Sequence, residues 1–145
     1  MHLRRPSFIG VLIGIWAVWF SLVALSNVFD GLKAMGLLGE HWRFASGNFA
    51  AIEQVTSIYK LPRFVNGLLY LAVIVVEIGI ANLLWRSLGR RDPKTREAAF
   101  TLAVALFGGF LLADELFVAW PTGLAHVHFG ILVALIVTWI AARNA

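Results

Sequence analysis

Cysteine is absent from this 145-residue sequence. Its absence excludes disulfides, thiolate nucleophiles, zinc ribbons and iron–sulfur clusters. Charge is scarce as well. Only 14% of residues are charged, against about 25% in soluble domains. Too few polar residues remain to cover a soluble core, so a soluble globular domain and a disordered tail are both excluded. Glycine-rich phosphate loops, nucleophile elbows and zinc-protease motifs are missing too. Internal repeats, low-complexity stretches and a second domain are equally missing.

What is present is apolar sequence. Hydrophobic residues make up 60% of the chain, and mean hydropathy is +0.82. A helix needs about 20 apolar residues to span hydrocarbon. Segments 8–29, 64–85, 98–120 and 124–142 meet that need. The expected fold class is all-α: a single domain, 1–145, forming a four-transmembrane-helix bundle. Arg4 and Arg5 before the first run resemble a signal peptide, but the run is too long for one and reads as a helix.

The connections differ in length. Residues 30–63 form a long first loop and residues 86–97 a short, charged second one. Pro121-Thr122-Gly123 is a tight turn that makes the last two helices antiparallel, with Thr122 as N-cap. In the long loop, Ser46-Gly47-Asn48 reads as a turn with Asn48 as N-cap of a short amphipathic helix. Phe49, Ile52, Val55 or Thr56, and Tyr59 would share its face, covering the interface or the bundle mouth. Pro62 closes that helix. Gly79, Gly108 and Gly109, with Ala81 and Ala105, are expected to let helices approach closely.

The net charge of +4 reads as topology. Arg4, Arg5, Arg86, Arg90, Arg91, Lys94, Arg96 and Arg143 fall on one side, and Lys33, Arg43, Lys60 and Arg63 on the other. This asymmetry places both termini in the cytoplasm. Trp85 and Trp139 then mark the inner interface, and Trp42 and Trp120 the outer. The basic second loop is an anchor for anionic lipid; no nucleic acid is expected.

The scarce polar residues within the spans need an account, because ionisable groups there face a bundle interior or water. Glu77 sits near the middle of the second span with no Lys or Arg at its depth. It reads as a largely neutral carboxyl that donates a hydrogen bond. At 100° per residue, Asn66, Tyr70 and Glu77 lie within about 40° of one another and form one polar stripe. It serves either as a proton-carrying or substrate-binding site or as an interhelical lock.

A second set gathers at the outer end: Asp30, Asp114, Glu115, His126 and His128. Carboxylates with imidazoles suit a divalent metal, a quinone or a proton relay. Spacing limits this set. His126 and His128 diverge by about 200° on a helix and Asp114 and Glu115 by about 100°. The best grouping is Asp30, one helix-three carboxylate and one histidine, with His41 and Glu53 nearby. The alternative is a salt-bridge cluster in which Arg63 or Lys60 neutralises Asp114 or Glu115. Haem is not expected, because His2 lies on the wrong side and His126 and His128 share one helix.

Together, Asn27-x-x-Asp30, Ser46-Gly47-Asn48, Ile52-x-x-Val55-Thr56, Tyr59-x-x-Pro62, Glu77, Asp114-Glu115 and His126 resemble a group of small four-helix bacterial and archaeal membrane proteins of unknown function. The resemblance covers about Asn27 to His128. It implies the four-helix architecture and that these polar residues act as one set; it implies no activity. The expected function is a non-catalytic subunit or accessory protein of a membrane complex, partnered by lipid and by other subunits or by itself. Two alternatives stay open: a small proton-coupled transporter using Glu77, and a membrane metal- or quinone-binding protein using the outer cluster.

Overall fold

The computed structural model describes residues 7–39, 41–90, 92–117 and 123–144. His2, Arg4, Arg5, Arg91, Trp120, Pro121 and Thr122, and with them the expected turn and its N-cap, lie outside the described residues. Among the described residues the chain is all-helical, with no strand. The α-helices are α1 (Phe8–Ala34), α2 (Asn48–Thr56), α3 (Arg63–Arg90), α4 (Pro93–Leu116) and α5 (Leu124–Arg143). A 3-10 turn, Ser57–Tyr59, extends α2. All but α2 are long and apolar enough to cross a membrane.

Each long helix outruns its apolar segment or meets it closely, and the backbone chemistry at the ends shows why. Ser7 caps α1, its hydroxyl accepting the Gly10 amide at 3.1 Å. At the other end Gly36 adopts φ 73°. That lets the Gly36 amide reach Lys33 O at 2.8 Å and the Leu37 amide reach Leu32 O at 2.9 Å. This paired closure of orphan carbonyls needs a residue without a Cβ at the left-handed position. Consequently α1 ends at Ala34 rather than Phe29.

The second loop expected over 86–97 is mostly helix. α3 runs on to Arg90 and α4 begins at Pro93. Hydropathy marks where the chain stops being apolar, not where helical hydrogen bonding stops. Asp92 followed by proline is a strong helix start. Its carboxylate accepts the Lys94 and Thr95 amides. The Thr95 hydroxyl, with those amides, holds its carboxyl below the ordinary carboxylate range.

The long helices run alternately up and down. As α1 proceeds from Ser21 through Asn27 to Asp30, its partners on α3 recede from Trp85 through Glu77 to Tyr70. α3 packs on α4 and α4 on α5. α5 meets α1 more lightly, where Trp16 Nε1 donates to Thr138 Oγ1 at 3.1 Å. The buried face of α1 is Ile13, Ala17, Phe20, Ala24, Asn27 and Asp30. These positions recur every three or four residues, the spacing of near-antiparallel side-by-side packing.

The interior has two halves. Toward the α3–α4 junction lies an apolar cluster built on Ala17, Phe20, Ile80, Leu84, Phe100 and Phe107. Toward α2 lie the buried polar residues Asn27, Asp30, Thr56, Asn66 and Glu77, while Asp114 is buried separately between α4 and α5. Close approach of helices occurs at alanines, with Ala17, Ala81, Ala99 and Ala103 all buried. The expected glycines do not serve it. A Cβ at Gly108 or Gly109 would meet nothing within 4 Å, and one at Gly79 would meet only Leu102, at 4.0 Å. Ala105 is exposed.

Phe100 is fully buried among these side chains. Phe100→Ala should lower stability by about 3–5 kcal/mol, read as an earlier thermal transition in detergent.

Candidate functional site

The polar half is built from three parts of the chain. α1 contributes Asn27 and Asp30 from its last turns. α3 contributes Asn66, Tyr70 and Glu77 from the face that meets α1. The segment between them contributes Ser46, Asn48 and the start of α2.

Asn27 joins all three parts. It is 1% exposed, so each of its polar atoms must find a partner inside. Its side-chain nitrogen donates to Glu77 Oε2 at 2.7 Å. Its side-chain oxygen accepts from Asn48 Nδ2 at 2.9 Å. The Tyr70 hydroxyl lies 3.3 Å from that same oxygen and 3.1 Å from the Asn27 carbonyl.

Asp30 Oδ2 collects three donors. They are the Tyr70 hydroxyl at 2.9 Å, the Phe49 amide at 2.8 Å and the Ser46 hydroxyl at 3.3 Å. The Phe49 bond corrects the expected N-cap. Asn48 is the first residue of α2 and Gly47, at φ 78°, is the N-cap, with no side chain to offer. Asp30, nineteen positions earlier, supplies the capping oxygen from another helix. A carboxylate at that position also suits the positive end of the helix dipole. The side chain of Asn48, freed from capping, reaches Asn27 instead.

The expected stripe on α3 is real as a buried face: Asn66, Tyr70 and Glu77 are all 3–4% exposed. Its members take different partners. Asn66 Oδ1 accepts from Thr56 Oγ1 at 3.0 Å, Tyr70 binds Asp30, and Glu77 binds Asn27. The face expected for α2 also holds in part. Phe49 and Thr56 are buried and Ile52 packs beside them. Tyr59 is exposed, yet its hydroxyl donates to Leu116 O at 2.8 Å and its ring meets Phe117.

The outer set expected to gather around Asp30 separates. Asp114, 6% exposed, pairs with His128 Nδ1 at 2.7 Å, and the rings of Phe107 and Phe110 flank that imidazole. Asp30 instead belongs to the Asn27 network. The packing order explains this: α1 lies against α3, and its link to α5 forms at the opposite end, through Trp16 and Thr138. Arg63 does not neutralise Asp114 or Glu115. It pairs with Glu53 at 3.2 Å and donates to Ala34 O at 3.0 Å. Glu53 is thereby engaged away from the outer set, and His41 is exposed.

His126 and Glu115 are exposed and, with Asp114, Gly108, Leu112 and Phe129, line a groove of about 570 Å³ between α4 and α5. Among the described residues, no three His, Asp or Glu side chains stand together in a way that would hold a metal ion. Sequence reasoning missed the centrality of Asn27, which it offers only within Asn27-x-x-Asp30. The available signal was the burial register of α1: Phe20 and Ala24 lead to Asn27 at the same spacing.

Asp30→Ala removes all three acceptances at once. At about 0.5–1.5 kcal/mol for each hydrogen bond, α2 should loosen. The Phe49 amide should then exchange with solvent at least about tenfold faster, and protease should cut between Gly47 and Tyr59. Arg143→Ala, at the far end of α5 and without a contact to α2, should leave both readouts close to the parent's.

No protein-family model, no curated protein and no solved structure matches this chain.

Proposed function

We propose that this chain is a multi-pass membrane protein with a non-catalytic role, as a subunit or accessory protein of a membrane assembly. In this reading α1, α3, α4 and α5 form a four-helix transmembrane bundle and α2 lies at the outer interface. Both termini face the cytoplasm. Arg86, Arg90, Lys94, Arg96 and Arg143 then share the inner side, as basic residues do in short cytoplasmic segments. The Arg143 guanidinium rests over the Trp139 ring, 5.6 Å from its centroid, a fitting arrangement for an interface.

The observation that carries the non-catalytic reading is how the interior polar groups are used. Among the described residues, Trp139 Nε1 is the one buried side-chain nitrogen or oxygen without a partner. Glu77, Asn27, Asp30, Tyr70 and Asn48 engage one another. Beyond Glu77 the interior turns apolar at Phe20, Ile80, Ala81 and Leu84. Polar groups that satisfy one another and stop at a dry core act as a lock between helices.

Gentle extraction from native membranes should bring other membrane subunits with this chain. A lone, monodisperse monomer would overturn the reading.

A second reading has one observation in its favour. Ser46, Asp30, Tyr70, Asn27 and Glu77 form a hydrogen-bonded series from the exposed loop to the middle of α3. Such a series suits proton uptake by a carrier in which Glu77 holds the proton. Glu77→Gln separates the two readings, because an amide of the same shape keeps a bond to Asn27. The lock reading expects a folded, assembled variant with unchanged proton permeability in dye-loaded proteoliposomes. The carrier reading expects flux in the parent that the variant abolishes.

A further inference from the structure

α3 has a second face that the rest of the chain leaves exposed, flanked by α1 only at its Trp85 end, where the indole donates to Ser21 Oγ. Opposite its buried residues, Leu68, Leu71, Val75, Ile78, Asn82 and Trp85 are all exposed. They follow one another at alternating intervals of three and four residues, the spacing of a helix-pairing seam. The comparable exposed row on α1, from Val11 through Ile15, Val18 and Leu22 to Leu25, is apolar throughout. The row on α3 is interrupted by an amide. Asn82 lies one turn inside Trp85, the aromatic residue at the inner interface in the four-span reading. Its amide makes no hydrogen bond to any described residue. Lipid tails cannot satisfy it, and an unpaired amide in hydrocarbon is costly.

The partner that this amide calls for can be argued from symmetry. Two copies inserted with the same orientation are related by an axis along the membrane normal, so identical residues meet at identical depth. A row on α3 packing against itself brings Asn82 to Asn82 of the second copy. An amide is both donor and acceptor, so two of them can bond reciprocally. A single asparagine in an apolar pairing seam sets register and oligomeric state in this way. The surface beside the row has room for the neighbour's side chains. A groove of about 330 Å³ between α1 and α3 is lined by Ser21, Ala24, Ala81 and Asn82 among others. Arg86 and Arg90 follow at the end of the row, at headgroup level, where water and anionic lipid screen their repulsion.

We infer that the exposed face of α3 centred on Asn82 is the contact between two copies of this chain, a parallel dimer closed by an Asn82–Asn82 amide pair. The inference rests on the four-span reading above. The absence of cysteine makes it directly testable, since one introduced cysteine reports one position. Val75→Cys and Ile78→Cys, which leave Asn82 in place, should on oxidation in native membranes give a cross-linked product of twice the 16.0 kDa chain mass. Val137→Cys, on the exposed face of α5, should give little. Asn82→Leu placed in the Ile78→Cys background should cut cross-linking at least about tenfold, and Asn82→Gln should restore much of it. Cross-linking at 75 and 78 no stronger than at 137 would overturn the inference, as would a product joined to a different protein. Resistance of each variant to alkaline extraction reports membrane insertion separately. Failure of the four-span reading therefore shows as extraction, and failure of the dimer as an inserted but uncross-linked chain.

Discussion

The side-chain amide of Asn27 is the point at which three separate stretches of this chain are held together. It binds Glu77 on α3, accepts from Asn48 at the start of α2, and sits within reach of the Tyr70 hydroxyl. In a chain this apolar, helix packing by itself has little directional content, since one leucine-lined face fits another almost as well as a third. Lipid also removes the hydrophobic drive that sorts helices in water. A buried amide with fixed donor and acceptor ends supplies the missing direction. The order α1 against α3, with α2 laid over the gap, follows from satisfying it.

The location of the long helices was legible because hydropathy is a local property. Segments 64–85 and 124–142 correspond closely to α3 and α5, and the departures lie at ends where capping takes over from apolarity. Asp92-Pro93 shows the difference: the local signal for a helix start is strong, but it sits in a charged stretch that hydropathy reads as a loop. The polar face of α3 was legible for a similar reason, since helical periodicity alone aligns Asn66, Tyr70 and Glu77.

Partner choice was not legible. Nothing near Asn48 in the sequence indicates that its capping role passes to Asp30, because that exchange depends on two helices meeting in space. The same holds for Asp114. Five ionisable residues at one end of a bundle look like one cluster in sequence. Packing order divides them, sending Asp30 to α3 and Asp114 to His128. Glycine was misleading in the opposite sense. Gly108 and Gly109 are open to the outside of this chain, and alanines carry the close contacts.

The cap that Asp30 provides for α2 also bears on the order in which the chain assembles. A nine-residue helix is too short to persist alone, and this one has no cap of its own at Gly47. Its start is held by α1 and its underside packs against Tyr70 of α3. It can therefore set only after those two helices have met. These contacts of α2 lie N-terminal to α4, and only the 3-10 turn that follows reaches α4, through Tyr59. The first three helices thus form a unit that can close while α4 and α5 are still being made, with α2 as the latch that records the closure.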